Sequence, residues 1–348
     1  MTEFYEQVKE RLIRYVRINT ESNPHSTSVP TTSCQHDLAS VIYEELQKIG
    51  ATNVYYDKDT CVVYGSLEAN VKTGRAIGFV THMDTAPDAS VKDVKPWVLE
   101  NYDGKDIVLN AEKDIVMSPS VFPNLKQYIG QDLVLTDGTT LLGGDDKASI
   151  AAVMTLLEYL VKHPEIKHNF ISVAFTPDEE VSGLAKDLDL ERFKSPIAYT
   201  LDGDHLGYYM DETFNASLST IEIHGISVHT ATAKGIMKNA VDIGNAFLNK
   251  LPALEKPQYT QGREGFYHVV SFNGDCEYAK IEINVRDHDS LQFDIRNNTL
   301  KMIVDMLNKE YGQGTVNITQ RIQYRNLKEV IDQVPFMIPY LKQAIESV

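Results

Sequence analysis

Residues 76–88 read AIGFVTHMDTAPD, an apolar run that stops abruptly at a histidine and then meets two aspartates, Asp84 and Asp88. Ile77, Phe79 and Val80 have the length and composition of a short buried strand, bounded by Gly78 and the polar residues that follow. In open α/β sheets ligands bind beyond the carboxyl ends of the strands, so His82 and Asp84 are expected at a ligand-binding edge. A lone His-x-Asp is common in proteins. It gains weight only if other segments bring donors to the same edge.

The neighbouring segments are ordered as an α/β chain. Upstream, residues 3–18 place Phe4, Val8, Leu12, Tyr15 and Val16 on one helical face, and Leu38, Val41, Ile42, Leu46 and Ile49 form a second helix stopped by Gly50. Residues 20–34, rich in Ser, Thr, Asn and Pro, read as a surface loop between them. Residues 54–56 and 61–67 read as a hairpin leading into the 76–81 strand. Downstream, residues 101–131 show no clear period and are expected to be an irregular connection. Residues 133–136 then read as a strand, followed by LLGGDDKASIAAVMTLLEYL, whose Ile150, Val153, Met154, Leu157 and Leu160 predict a strong helix. Helix-start chemistry accounts for one of Asp145 and Asp146 but does not need both. Strands at 170–175 and 197–201 run into TPDEE and into Asp202. Thus His82, Asp84, Glu179, Glu180 and Asp202 all follow strand-like runs, and the Asp145 pair opens a helix. Simple surface solvation would scatter such acids through helices and loops.

From about residue 218 the pattern changes. LSTIEIHGISVHT reads as a strand pair, followed by a helix near 237–251, a strand near 279–285, a long helix over 289–311 and a strand at 315–322. The expected organisation is a first, α/β domain over 1–215, an inserted α+β domain over 216–323, and the start of a return to the first domain over 324–348, where Phe336, Ile338, Leu341 and Ile345 mark a helix.

Composition narrows the function. A length of 348 residues suits two domains, and 43% hydrophobic with 24% charged residues is ordinary globular usage. A formal charge of −16 argues against nucleic-acid or anionic-membrane partners, which need a basic face. Cys34, Cys61 and Cys276 are scattered and odd in number, which fits a reducing cytoplasm. MTEFYEQVKERLIRYV alternates charged and apolar residues at helical spacing, unlike a signal peptide, and no apolar run approaches the ~20 residues of a membrane span.

One imidazole with several carboxylates and no thiolate favours a divalent metal held by N and O ligands: zinc first, then manganese or cobalt. Paired metals of this kind suit amide hydrolysis, in which one carboxylate bridges and another takes a proton from water. Adjacent Glu179 and Glu180 suit a division between metal ligand and general base. Asp84, two residues after His82, suits the acceptor of the other ring N–H.

THMDTAPD, ENYDGKDIVLN, TDGTTLLGGDDKA, AFTPDEE, EGFYH and VRDHD together resemble the peptidase T group of the M20 metallopeptidases. These are zinc tripeptide aminopeptidases related to carboxypeptidase G, acetylornithine deacetylase and succinyl-diaminopimelate desuccinylase. The resemblance implies a phosphorylase/hydrolase-like zinc-peptidase catalytic domain with an inserted α+β lid that also serves dimerisation. It implies two Zn2+ ions, with His82 and Asp202 on one, Glu180 on the second, Asp145 bridging both, Glu179 as general base and Asp84 as partner of His82. Val228-His229 is similar to the family turn whose histidine stabilises the oxyanion, although Thr230 and Ala231 replace its Pro-Gly; Lys234, Gly235 and Asn239 continue the match. Arg286 matches an arginine that would hold the peptide carboxylate. A polar loop histidine and a surface salt-bridge arginine are the alternatives at these two positions. Asp204 and His205 depart from the family's Asp-Gly-Gly.

The family pattern continues for about sixty residues, enough for further strands of a domain, with an Arg-Gly-Gly-Thr-Asp-Gly segment and a last metal-binding histidine, whereas no histidine follows His288 here. The expectation is therefore a cytoplasmic tripeptide aminopeptidase, a homodimer through the lid, acting on small peptides. The alternatives are an impaired member binding one metal well, or a related deacylase or dipeptidase.

Overall fold

Strand β3 (Ile77–His82) lies inside a sheet and is parallel to both its neighbours, as its apolar run predicts for a strand buried on two faces. In the computed structural model, which describes residues 2–182, 188–203 and 205–348, the chain divides into two compact units, Met1–Gly203 and Asp204–Val348. Asp204 itself lies outside the described residues.

In the first unit, α1 (Thr2–Tyr15) and α2 (Gln35–Ile49) precede β1 (Thr52–Tyr56) and β2 (Val63–Leu67), which pair antiparallel as the hairpin pattern predicts. After β3 come β4 (Trp97–Leu99), β5 (Ile107–Asn110), β6 (Ile115–Met117), β7 (Leu133–Leu135) and α3 (Gly144–Lys162). The unit closes with β8 (Ile171–Thr176), α4 (Glu179–Ser182), α5 (Leu190–Phe193) and β9 (Ala198–Thr200). The five-stranded sheet has the order β1-β2-β8-β3-β9, with β8, β3 and β9 parallel. Tyr15 of α1, Leu38, Ile42 and Leu46 of α2, and Ile150, Met154 and Leu157 of α3 are buried with Val173 and Phe175 of β8 in one core. This is the helical face that the apolar spacing anticipates.

Two expectations for this unit are corrected. Residues 101–131 are not wholly irregular: β5 pairs with β6, and Tyr102, Ile107 and Leu125 are buried with Leu135 of the expected strand β7 in a small core of their own. Strands of three or four residues are too short to display a period. The 20–34 loop is partly interior, with Thr20, Ser22 and Pro30 buried and Glu21 bridged to Thr85, because it packs along the segment that follows β3.

The second unit contains β10 (Asn215–His224), α6 (Ala240–Leu248), β11 (Phe266–Gly274), β12 (Tyr278–Asp287), α7 (Ser290–Tyr311), β13 (Val316–Tyr324), α8 (Lys328–Ile331) and α9 (Met337–Glu346). Its sheet, ordered β11-β12-β10-β13, is antiparallel throughout. Alternate residues Ile221, Ile223, Ile281, Ile283 and Val285 bury one face against Phe247 of α6 and Phe293, Leu300 and Leu307 of α7. LSTIEIHGISVHT supplies one strand, not two. At Gly225 a Cβ would stand 2.0 Å from the Cys276 carbonyl oxygen, and the chain turns away there after β10. Strand β11 has no counterpart in the sequence expectation, since its register slips between Val269 and Ser271 and breaks the alternation. No helix among the described residues is long and apolar enough to cross a membrane.

Candidate metal centre

Parallel pairing decides where the polar residues stand. The register runs from Ile77 opposite Ile171 to His82 opposite Thr176, so β3 and β8 end together and release His82-Met83-Asp84 and Pro177-Asp178-Glu179-Glu180 at one edge. β9 ends beside them and delivers Asp202. His82 is 2% exposed and Asp84 is fully buried. The His82 Nδ1 lies 3.2 Å from Asp84 Oδ1 and 3.1 Å from the Asp84 carbonyl oxygen, two acceptors that hold the proton on Nδ1. Nε2 is then turned to Asp145 Oδ1 at 3.0 Å and Asp202 Oδ2 at 3.8 Å.

Asp84 does more than orient one ring. Its Oδ1 accepts the Glu179 backbone N–H at 2.9 Å and its Oδ2 accepts that of Glu180 at 3.1 Å. One buried carboxylate therefore ties the imidazole to the turn that carries both glutamates.

The head of α3 completes the edge. Gly143 is left-handed with φ +75°, and Asp145 and Asp146 have non-helical backbone angles before the regular helix begins. Their carboxylates take different tasks. Asp145 faces His82 Nε2, whereas buried Asp146 accepts the His82 backbone N–H at 3.2 Å and pins the start of α3 to the end of β3. The question of why two aspartates are present is answered by these two partners.

Among the described residues, ligand atoms of His82, Asp145 and Asp202 all lie within 4.8 Å of one another. Glu179 and Glu180, at the start of α4, interact electrostatically with that group without belonging to it. Burial lowers the His82 pKa, but hydrogen bonds to Asp145 and Asp84 outweigh it and raise it to about 11. The same bond to His82 lowers that of Asp145. Burial raises Asp146 to about 7. Glu179, Glu180 and Asp202 are also raised, first by burial and then by neighbouring carboxylates. Negative charge is thus crowded beyond what one imidazole offsets. An imidazole nitrogen with carboxylate oxygens is a donor set that fits a divalent cation of the zinc, manganese or cobalt type.

The remaining candidates lie in the second unit. His229 is exposed, and its Nδ1 accepts the Ala231 N–H at 3.2 Å. Asn239 caps α6, accepting the Val241 N–H at 2.9 Å. Arg286 is half-buried, donates to the Val285 carbonyl at 3.1 Å and lies over the Tyr324 ring at 5.8 Å. Sequence reasoning gave no role to Asp178, which sits in the TPDEE turn at φ +60° and is nearly fully buried. Its signal was available in retrospect: an acid between a proline and two working glutamates.

A family described as "Peptidase dimerisation domain" matches residues 212–315. The chain is 45% identical over 344 residues to Peptidase T of Clostridium novyi (strain NT), covering 99% of this chain and 84% of that one. It is 45% identical over 342 residues to Peptidase T of Alkaliphilus oremlandii (strain OhILAs), covering 97% and 83%. Among solved structures, aminopeptidase PepT of Bacillus cereus shares the fold with a TM-score of 0.72 at 20% identity, over 93% of this chain and 77% of that chain. A Bacillus subtilis protein described as a dinuclear metal binding peptidase from the M20 family shares it with a TM-score of 0.58 at 10% identity, over 94% and 76%. With relatives at 45% identity along nearly its whole length, the chain belongs to the peptidase T family of metallopeptidases.

Proposed function

We propose that this chain is a metal-dependent aminopeptidase that removes the N-terminal residue of tripeptides. The observation that carries the proposal is the convergence of His82 Nε2, Asp145 and Asp202 within 4.8 Å at the ends of parallel strands, with the two glutamates of the adjacent turn bound to the same buried Asp84. His82 and Asp202 would hold one ion, Glu180 a second, and Asp145 both; zinc is the first choice because the donors mix imidazole and carboxylate. When bound, such ions supply Lewis acidity to the scissile carbonyl and acidify water. Glu179, not needed as a ligand and made more basic by burial, takes the proton from the attacking water and returns it to the leaving amine.

Three further residues have roles toward the substrate in this proposal. His229 donates to the developing oxyanion, Arg286 pairs with the peptide carboxylate, and Asn239 contributes a polar contact. The second unit, residues 216–323 acting as lid and 1–215 as catalytic domain, joins two chains into a homodimer. The exposed side chains of Leu291, Ile295, Met302 and Met306, which recur along one face of α7, favour an apolar contact between copies there. The site of action is the cytoplasm.

Glu179→Gln tests the central assignment. Zinc content should stay at the wild-type level, while hydrolysis of trialanine falls by a factor on the order of 10²–10⁴. Loss of zinc with the activity would assign Glu179 as a ligand instead, and unchanged turnover would remove it from the chemistry.

A further inference from the structure

We propose that Gln35 and Thr31 are positioning residues for the general base, acting through Asp178. The assignment rests on Glu179 being that base, as proposed above. Gln35 opens α2, is fully buried, and faces the TPDEE turn across the sheet edge. Its amide is used in both senses. Gln35 Nε2 donates to Asp178 Oδ1 at 2.7 Å, and Gln35 Oε1 accepts the Asp178 backbone N–H at 3.2 Å. The Thr31 backbone N–H donates to the two Asp178 carboxylate oxygens at 3.0 and 2.8 Å, and the Thr31 hydroxyl donates to Oδ1 as well. A buried carboxylate is thereby matched by donors from one short segment, 31–35.

What this clamp holds is a backbone angle. Asp178 has φ +60°, a left-handed conformation that disfavours most residues with a Cβ and that Asp tolerates better than most; here the bonds from Gln35 and Thr31 hold it. Gln35 fixes the N–H of residue 178, and Asp84 fixes those of 179 and 180, so three consecutive peptide N–H groups are each held by a buried side chain. With the Gln35 side released, residue 178 can relax to negative φ. That rotation redirects the chain entering Glu179 and moves its carboxylate away from the water it must deprotonate. Misplacement of a reacting group by about 1 Å costs on the order of 10²-fold in rate. The cost falls on turnover, because neither Gln35 nor Asp178 is positioned as a ligand atom in the His82 cluster.

The donor and acceptor pattern permits a swap experiment. Gln35→Glu sets a carboxylate against the Asp178 carboxylate and removes the Nε2 donor; Asp178→Asn can keep its amide oxygen on Gln35 Nε2 only by setting its new NH2 against the Thr31 backbone N–H. Together, the new amide at 178 donates to the new carboxylate at 35, which still accepts the backbone N–H, and the remaining amide oxygen still accepts from Thr31. With full-length, zinc-loaded protein and trialanine, each single variant should lose about 10- to 100-fold in kcat, with KM and zinc per chain within about two-fold of wild type. The double variant should recover most of kcat. Wild-type kcat in Gln35→Glu, loss of zinc in step with activity, or a folded double variant with no recovery would each overturn the proposal. If Gln35→Glu does not fold, Thr31→Val, which deletes one hydroxyl, carries the test: a several-fold fall in kcat at constant KM and zinc supports it, and an unchanged kcat overturns it. Glu179→Gln, measured alongside, separates the two ideas. An active Glu179→Gln protein refutes the assignment of the base, whereas an inactive one with a wild-type-like Gln35→Glu refutes the clamp alone.

Discussion

Replacing Asp84 by asparagine keeps the volume of a fully buried side chain and removes only its charge and one acceptor. In the better orientation the amide oxygen stays with His82 Nδ1 and the Glu179 N–H, and the new NH2 faces the Glu180 N–H across what is now a 3.1 Å hydrogen bond. Losing a hydrogen bond to a charged acceptor costs roughly 1.5–3 kcal/mol. Against this, Asp84 is one of the carboxylates that raise the pKa values of Glu179, Glu180 and Asp202, so neutralising it relieves repulsion in the metal-free protein. The net expectation without metal is a loss of about 1–2 kcal/mol, or a fall in melting temperature of about 2–8 °C for a unit of this size. With metal the relief disappears and the weaker partner of His82 dominates. Loss of such a partner lowers metal affinity about 10- to 100-fold, equivalent to about 1.4–2.8 kcal/mol. Calorimetry of the metal-free variant and zinc titration against a competing chelator measure the two parts separately. Unchanged zinc affinity in a folded Asp84→Asn protein would refute the orienting role, and a higher metal-free melting temperature would show that charge crowding outweighs the hydrogen bonds.

Other expectations follow from the same contacts. Glu45 accepts from Arg11 at 2.8 Å, Arg14 at 3.0 Å and the Tyr15 hydroxyl at 2.7 Å, and these bonds lower its pKa although burial alone would raise it. Its contribution is therefore complete above its ordinary pKa of 4.5 and lost as pH falls through the lower folded value. Glu45→Gln should cost about 2 kcal/mol in chemical denaturation at pH 7, the scale of hydrogen bonds to a charged acceptor, and the gap to wild type should close in acid; a pH-independent gap would contradict the ion-pair origin. Gly78→Ala would place a Cβ 2.3 Å from the ring of buried Phe193, so overpacking by about 1–3 kcal/mol is expected, and an unchanged melting temperature would show that the ring shifts freely. Burial pushes the Cys61 thiol up to about 12, so iodoacetamide at pH 8 should label Cys34 and Cys276 well before Cys61; mass spectrometry of the labelled peptides checks the order.

Much of the framework could be read locally, because side-chain period reports which face of an element is buried. The helices around Leu38–Leu46 and Ile150–Leu160, the strands ending at His82 and Thr176, and the antiparallel pair β1–β2 were all visible in that way. Where the period is short or broken it failed: the strand at 133–135 was legible, but β5 and β6, of four and three residues, passed as part of an irregular connection, and β11 was missed because its register slips.

For the candidate site, the sequence by itself determined which residues follow strands and which chemistry their types allow, since imidazole and carboxylate without thiolate limit the choice of partner. Spacing alone pointed Asp84 to the His82 ring, but it could not determine which remote carboxylate meets Nε2. That depends on β3, β8 and β9 ending in register and on α3 beginning against β3, contacts between residues more than sixty positions apart. Only tertiary structure could assign Asp145 to the His82 ring and Asp146 to its backbone, give Asp84 both glutamate N–H groups, and bring Gln35 and Thr31 to Asp178. The physical reason is that local patterns record burial, whereas a hydrogen-bond partner is chosen by where the remote chain arrives.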